Sequence, residues 1–257
     1  MQGLLREALF VPRHTRQASY LAANLITMPS TSPLTMLRRT LLPVVLILSL
    51  SACLTIEENY TFKKDGSGTM EYVVDMSAMA EMMESMEKMT EGSGEDDDGM
   101  GEMDMKAEAE KLKTVLGVSK VKVNTKEKFV QRVSFKFKDI ASLNGALNVL
   151  MPDSSGVQHT FYTWEGNTLV RTNNRHATDL GSDMGQDAGT DSMDPTAFLQ
   201  SMHYKFSFKF AQPITGRELA EGVVQESPNS KELKLDTDWS VIMKEPKTLD
   251  LRITLDR

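Results

Sequence analysis

TIEENYTFKKDGSGTMEYVV, residues 55–74, is the stretch that decides the fold of this 257-residue chain. Its two outer segments alternate apolar and polar residues, which is the pattern of a half-buried β-strand. Between these segments, Asp65-Gly66 provides turn chemistry, because glycine adopts positive φ without a steric penalty. The stretch therefore predicts a β-hairpin that begins an antiparallel sheet.

The segments after this hairpin switch between helix and strand patterns. The helix patterns cover residues 77–89, 106–116, 140–150 and 194–200. The strand patterns cover residues 120–123, 130–138, 159–164, 168–172, 204–210, 233–235, 239–243 and 249–255. Asp139 is the predicted cap of the helix at 140–150, and Trp164 and Trp239 are predicted to pack in the core from strands.

The order of these elements indicates an α+β fold in which helices pack on an antiparallel sheet. Read in order, the second strand of the hairpin, helix, two strands, helix and strand make β-α-β-β-α-β, which is the order of a ferredoxin-like split βαβ unit. We therefore expect a ferredoxin-like core in a first domain at 53–175. A β-rich C-terminal part is predicted at 194–257.

Two stretches of low complexity interrupt these patterns. Residues 92–104 are rich in glycine, aspartate and glutamate, and they predict a mobile acidic loop. Residues 176–193 are rich in Asp, Gly, Ser and Thr, and they predict a linker or a surface insertion. The motif Ser-Phe-Lys-Phe occurs at 134–137 and again at 207–210. Because this alternation is a common solution for a half-buried strand, convergence is favoured over duplication.

Upstream of the hairpin, Leu50-Ser51-Ala52-Cys53 ends an apolar run that follows Arg38-Arg39. A positive segment, an apolar core of about ten residues and small residues at its end are typical of a signal peptide. The run is too short for a permanent membrane helix, which needs about 20 apolar residues. Leu-Ser-Ala-Cys resembles the lipobox of bacterial lipoproteins, and Cys53 is the one cysteine of the chain.

The resemblance implies cleavage between Ala52 and Cys53 and diacylation of the Cys53 thiol, with acyl chains such as palmitate. Residues 1–52 are then a signal peptide, and its excessive length predicts that the true start is Met36, with Met28 as the alternative. Two acyl chains suffice for stable anchoring, so the membrane is the implied partner. In enteric lipoproteins Asp after the cysteine implies inner-membrane retention, so Leu54 favours the outer membrane. The mature chain also resembles uncharacterised envelope lipoproteins with a Cys-proximal Asp-Gly-Ser-Gly hairpin.

The charge of the chain argues against nucleic acid as a partner. The formal net charge is −7, and the predicted leader holds five arginines and one glutamate, so the mature part is more acidic still. Nucleic-acid binding needs clustered Lys and Arg. The motifs Gly-x-Ser-x-Gly and His-Glu-x-x-His are absent from the sequence, and His159, His176 and His203 lie in unrelated segments. We therefore predict a non-catalytic binding or scaffolding role in the cell envelope, with an unrecognised envelope hydrolase as the third interpretation.

Methionine and aspartate give the second interpretation, which is binding of divalent cations or copper. The chain has 18 methionines, and thioethers are ligands for Cu(I). One group, at positions 79, 82, 83, 86 and 89, falls on one helical face and favours core packing; a second, at 100, 103 and 105, lies in the acidic loop. An EF-hand loop around Gly99 fails, because Gly94 and Met105 stand at its first and last ligand positions. The aspartates at 179, 183, 187, 191 and 194 lack a context that brings them together, so no metal ligand or cofactor is predicted.

Overall fold

The computed structural model describes residues 54–80, 105–127, 129–153, 155–172, 175–180, 195–245 and 247–256. Its strands are β1 (Leu54–Phe62), β2 (Gly68–Asp75), β3 (Val118–Asn124), β4 (Val130–Phe137), β5 (Tyr162–Glu165), β6 (Thr168–Arg171), β7 (Met202–Phe210), β8 (Ile214–Leu219), β9 (Val224–Asn229), β10 (Glu232–Asp238) and β11 (Leu251–Leu255). Its helices are α1 (Met105–Leu112), α2 (Ile140–Leu150), α3 (Pro195–Gln200) and α4 (Trp239–Lys244). The predicted α+β class is confirmed.

The strands form two sheets. The large sheet has seven strands in the order β3-β4-β2-β1-β7-β10-β9, and the small sheet has four in the order β5-β6-β11-β8. At the centre of the large sheet, β1 pairs antiparallel with β2 and parallel with β7, from Leu54 opposite Met202 to Phe62 opposite Phe210. The other described pairings are antiparallel.

The predicted hairpin at 55–74 is confirmed as β1 and β2. Gly66 adopts φ +80°, and the amide of Lys63 donates to the carbonyl of Ser67 across the turn at 2.8 Å. The strand patterns that begin at 120, 130 and 204 are likewise confirmed as β3, β4 and β7. Local alternation therefore predicts five consecutive strands of the large sheet, from the edge strand β3 to β7.

The core lies between the two sheets. Inward side chains of neighbouring strands stack, with ring centroids 5.3 Å apart for Tyr60 and Phe208 and 5.4 Å apart for Phe62 and Phe210. Tyr162 of the small sheet meets the ring of Tyr60 edge-on at 5.3 Å. Such offset and edge-to-face pairs add to the burial of apolar area, so these aromatic rows join the sheets.

The sheet topology contradicts the prediction of a ferredoxin-like core. The elements occur in the predicted order along the chain, but β5 does not return to the large sheet. It pairs with β6, from Tyr162 opposite Arg171 to Glu165 opposite Thr168, and β6 in turn pairs with β11. A split βαβ unit needs its last strand in the same sheet as the others, so that unit is not formed.

The predicted strand at 239–243 is wrong, because these residues form helix α4. The Asp238 side chain accepts a hydrogen bond from the amide of Val241 at 3.2 Å, which caps the helix. Trp239 is buried, as predicted, and its indole Nε1 donates to the carbonyl of Ala177 at 2.8 Å. Strands β8 and β9 were not predicted, since the exposed β9 carries Pro228 and lacks apolar alternation.

The predicted helix at 140–150 is confirmed as α2. Its cap, Asp139, has extended backbone, and its carboxylate accepts hydrogen bonds from the amide and the hydroxyl of Ser142 at 2.8 and 2.7 Å. The helix buries Leu143 and Leu147 in the core. Of the predicted helix at 77–89, residues 77–80 are helical and the remainder lies outside the described residues.

Asp139→Ala should lower the free energy of unfolding by about 1 kcal/mol at pH 7, the usual cost of losing an N-cap. Hydrogen bonds from Ser142 lower the pKa of Asp139, so the carboxylate stabilises the fold above its unfolded pKa of about 3.9 and loses that effect as pH falls. Urea denaturation should therefore show that the difference in free energy of unfolding between wild type and Asp139→Ala is smaller at pH 3 than at pH 7. An equal difference at both values would contradict this assignment. Asp139→Asn, which retains a capping oxygen, is the control.

Candidate functional site

The face of the large sheet that points away from the small sheet is a candidate for ligand binding. We call it the open face, because its side chains near the first turn are exposed or half-buried; toward the other end of the same face, Thr55 and Val73 are buried. Strand register sets its side chains in rows across β4, β2, β1 and β7. One row consists of Lys136, Thr69, Thr61 and Lys209, and the next of Ser134, Glu71, Asn59 and Ser207.

A groove of about 560 Å³ runs over these two rows. We call it the lysine groove, and its polar lining is Asn59, Thr61, Thr69, Glu71, Lys120, Lys122, Ser134, Lys136, Ser207 and Lys209. A second depression of about 430 Å³ adjoins it and shares Asn59 and Ser207. Its charges are mixed, because three carboxylates, Glu57, Glu226 and Asp236, accompany Lys205 and Lys234. Of the two depressions, the lysine groove therefore has the larger excess of positive charge.

Lys120 approaches the groove from an irregular edge strand. The pairing of β3 with β4 shifts register between Ser119 and Lys122, and Lys120 adopts φ +55°, which is unusual for a residue other than glycine. The pKa of Lys136 is lowered, first by the charge of Lys120, then by desolvation and then by the charge of Lys63. Both lysines line the groove, from the neighbouring strands β3 and β4.

A second unusual feature is a buried ion pair inside the fold. The side chains of Glu58 and Arg171 are both fully buried, and Arg171 Nη2 donates to Glu58 Oε1 at 3.5 Å. The hydroxyls of Tyr60 and Tyr204 also donate to the Glu58 carboxylate. Arg171 Nη1 donates to the carbonyl of Leu249 at 3.2 Å. We call Glu58, Tyr60, Arg171 and Tyr204 the core polar cluster.

The electrostatics of this cluster fix its protonation. Burial, and then the charge of Glu58, raise the pKa of Tyr60 and Tyr204 well above the ordinary value, so both hydroxyls stay protonated donors. Burial opposes the charged form of Arg171, yet the neighbouring Glu58 raises its pKa overall. Since Glu58 belongs to the large sheet and Arg171 to the small one, the cluster joins the two sheets.

The three histidines after Cys53 take different partners. His159 Nε2 lies 2.7 Å from the carboxylate of Asp153, and His203 Nδ1 lies 2.7 Å from Asp236. His176 Nε2 lies 2.7 Å from the hydroxyl of Tyr204, beside the core polar cluster. Burial, followed by the charge of Arg171, lowers the pKa of His176 well below its usual value, so it is neutral at pH 7. The structure does not bring these histidines into one site.

The predicted site residues Ala52 and Cys53 lie outside the described residues, as does the predicted signal peptide. Leu54, the residue after Cys53, lies in β1 and is only 2% exposed. In the described ranges, no helix is both long and apolar enough to cross a bilayer.

The residues considered for metal binding are only partly described. Of the methionines on the predicted helical face, Met79 is described and buried, and Met105 is buried at the start of α1 instead of lying in an acidic loop. Asp179 is 3.3 Å from Arg175. The described ranges contain no group of three or more His, Cys, Asp or Glu side chains placed to hold a metal ion. The remaining methionines and aspartates lie outside those ranges.

The sequence offered a signal for Glu58 but not for its partner. In β1 the inward positions are Ile56, Glu58, Tyr60 and Phe62, so alternation itself puts a carboxylate toward the core. The partner Arg171 is 113 positions further along the chain. No local pattern connects the two, and the cluster was not predicted.

Comparisons with known proteins add one structural similarity. No protein-family model matches the sequence, and no curated protein matches it. Among solved structures, the folded domain of LppM from Mycobacterium tuberculosis, determined by NMR, is similar with a TM-score of 0.41 and 10% sequence identity. The similarity covers 80% of this chain and 90% of that chain.

Proposed function

We propose that this chain is a bacterial envelope lipoprotein, cleaved after Ala52 and anchored by acyl chains on Cys53, with a non-catalytic binding role. The observation that carries the proposal is that Leu54, the residue after the cysteine of the lipobox-like motif, already lies buried in strand β1. A sheet that includes the second residue of the proposed mature chain agrees with the boundary that the motif predicts.

The absence of a spacer would hold the fold against the bilayer. Leu54 is buried and opposite Met202 of β7, so no flexible residues separate the proposed anchor from the centre of the large sheet. Acyl chains on Cys53 would thus fix this end of the sheet at the membrane surface, most consistently the outer membrane, since Leu54 follows the cysteine. The open face then remains available for a partner or ligand.

Metabolic labelling tests the anchor directly. Cells that express the full chain are fed an alkyne analogue of palmitate, and the purified product is analysed by mass spectrometry of its N-terminal peptide. We expect label on the wild type and a mature chain that starts at an acylated Cys53. Because the chain has one cysteine, Cys53→Ala should abolish the label completely. Lys64→Gln, an exposed change in the first turn, should leave label and processing unchanged.

The opposite result is equally clear. A wild-type chain that carries no label and keeps residues 1–52 would refute the proposed anchor, whatever the fold binds.

A further inference from the structure

We propose that the lysine groove binds a soluble ligand that carries more than one phosphate, held by Lys120, Lys136 and Lys209 and by the neutral polar side chains between them. The proposal deepens the binding role proposed above, because it names the face and the ligand class. The choice of this face does not depend on acylation of Cys53, whereas the preference for a soluble ligand over a membrane headgroup rests on the proposed anchor.

The first reason is an excess of positive charge, because four lysines and one glutamate are among the described residues that line the groove. Among the described residues, the ion pairs include none with Lys63, Lys120, Lys122 or Lys136. Lys209 is 3.6 Å from Glu232. Lys120 and Lys136 both line the groove although the chain as a whole is acidic. A phosphate between them would replace mutual repulsion by charge-assisted hydrogen bonds.

The second reason is the neutral floor of the groove. Thr69 and Thr61 lie between Lys136 and Lys209 in the same row, and their hydroxyls can donate to anionic oxygens. Glu71 stands in the next row and is the carboxylate that lines the groove. Because it repels an anion, it directs the ligand toward the Thr69 and Thr61 row.

The third reason is span. Lys136 and Lys209 lie on β4 and β7, which are three strand spacings apart in the order β4-β2-β1-β7. With about 4.8 Å between neighbouring strands, their backbones are about 14 Å apart. A ligand with several phosphates fits such a span better than a single phosphate ion does.

The position of the groove favours a ligand from solution over a lipid headgroup. The Thr61 row is seven residues beyond Leu54 along β1. At about 3.3 Å per residue, the row is about 23 Å from the start of the strand, where Cys53 would be anchored. Headgroups of the membrane that holds the anchor are therefore at the other end of the sheet.

Calorimetric titration of the full chain in neutral detergent with sodium tripolyphosphate tests the proposal. We expect saturable binding that Lys120→Gln/Lys136→Gln weakens at least about tenfold, as expected for lost charge-assisted hydrogen bonds. The control Lys111→Gln/Lys113→Gln changes net charge equally, but at the C-terminal end of α1, where Lys111 pairs with Glu108 and Lys113 with Glu110. It should change affinity less than about twofold. If the double variant melts at a lower temperature, Lys136→Gln and Lys209→Gln are measured singly.

Three results would overturn the proposal. The first is no saturable heat from tripolyphosphate at millimolar concentration. The second is an equal loss of affinity in both double variants, which would reduce the effect to net charge. The third is binding to vesicles of phosphatidylglycerol that depends on Lys120 and Lys136 but is not displaced by tripolyphosphate, which would assign the groove to headgroups. Labelling at Cys53 is read separately, so failure of the anchor and failure of the groove are distinguishable.

Discussion

Replacing Arg171 by methionine should lower the free energy of unfolding by about 3 to 5 kcal/mol, the range observed when one partner of a buried ion pair is removed. The carboxylate of Glu58 would remain in the core with only the hydroxyls of Tyr60 and Tyr204 as donors. The guanidinium of Arg171 also packs 4.9 Å from the ring centroid of Phe206, and methionine would keep only part of that contact. Chemical denaturation of the purified chain, followed by tryptophan fluorescence, measures the change.

The matched control is an ion pair of the same residue types on the surface. Arg252 is 2.6 Å from Glu165, and the two side chains are 39% and 55% exposed. Arg252→Met should therefore cost no more than about 1 kcal/mol. Equal losses for Arg171→Met and Arg252→Met would contradict the assigned role of the core polar cluster.

A double variant separates the ion pair from simple packing loss. If the cost of Arg171→Met comes from an unpaired carboxylate, Glu58→Gln in the same chain should recover part of it, because the remaining side chain is neutral. If the cost comes from lost packing, the double variant should be at least as unstable as the single one. The size of the recovery measures the coupling between the two positions.

The hairpin and the helix after Asp139 could be predicted because their determinants are local. A two-residue alternation, a glycine in a turn and a capping aspartate each act within a few residues of the chain. The same reasoning failed at 239–243, where alternation indicated a strand. Asp238 caps a helix there, and Trp239 turns inward to donate to Ala177. A single capping contact outweighed five residues of strand-like pattern.

The candidate sites could not be predicted because they depend on which strands become neighbours. The repeated Ser-Phe-Lys-Phe motif does predict Lys136 and Lys209 on outward positions. Only the order β4-β2-β1-β7, with its parallel pair β1 and β7, brings the two lysines into one row. Likewise, Glu58 meets Arg171 because the small sheet covers the large one, and no short window of sequence encodes that packing.

Gly68→Ala should lower the free energy of unfolding by about 3 kcal/mol, at the upper end of the usual cost of overpacking. A Cβ at this position would lie 2.1 Å from the carbonyl oxygen of Thr61 and 2.4 Å from Cζ of Phe137. The first of these atoms is backbone in the adjoining strand, so the clash cannot be relieved by a side-chain rotation. Urea denaturation measures the loss.

The reason for glycine at this position lies in the aromatic row above it. Phe137, Gly68, Phe62 and Phe210 are successive partners across four strands, and the ring of Phe137 meets that of Phe62 edge-on at 5.4 Å. Gly68 leaves the space that the Phe137 ring occupies. Gly216→Ala is the control, since its Cβ would stand 3.5 Å from Cβ of Thr254, an ordinary contact in another strand. It should change stability by less than about 0.5 kcal/mol. Similar losses of stability for Gly68→Ala and Gly216→Ala would mean that movement of the strands relieves the clash at Gly68. The hairpin would then not need glycine beside the Phe137 ring.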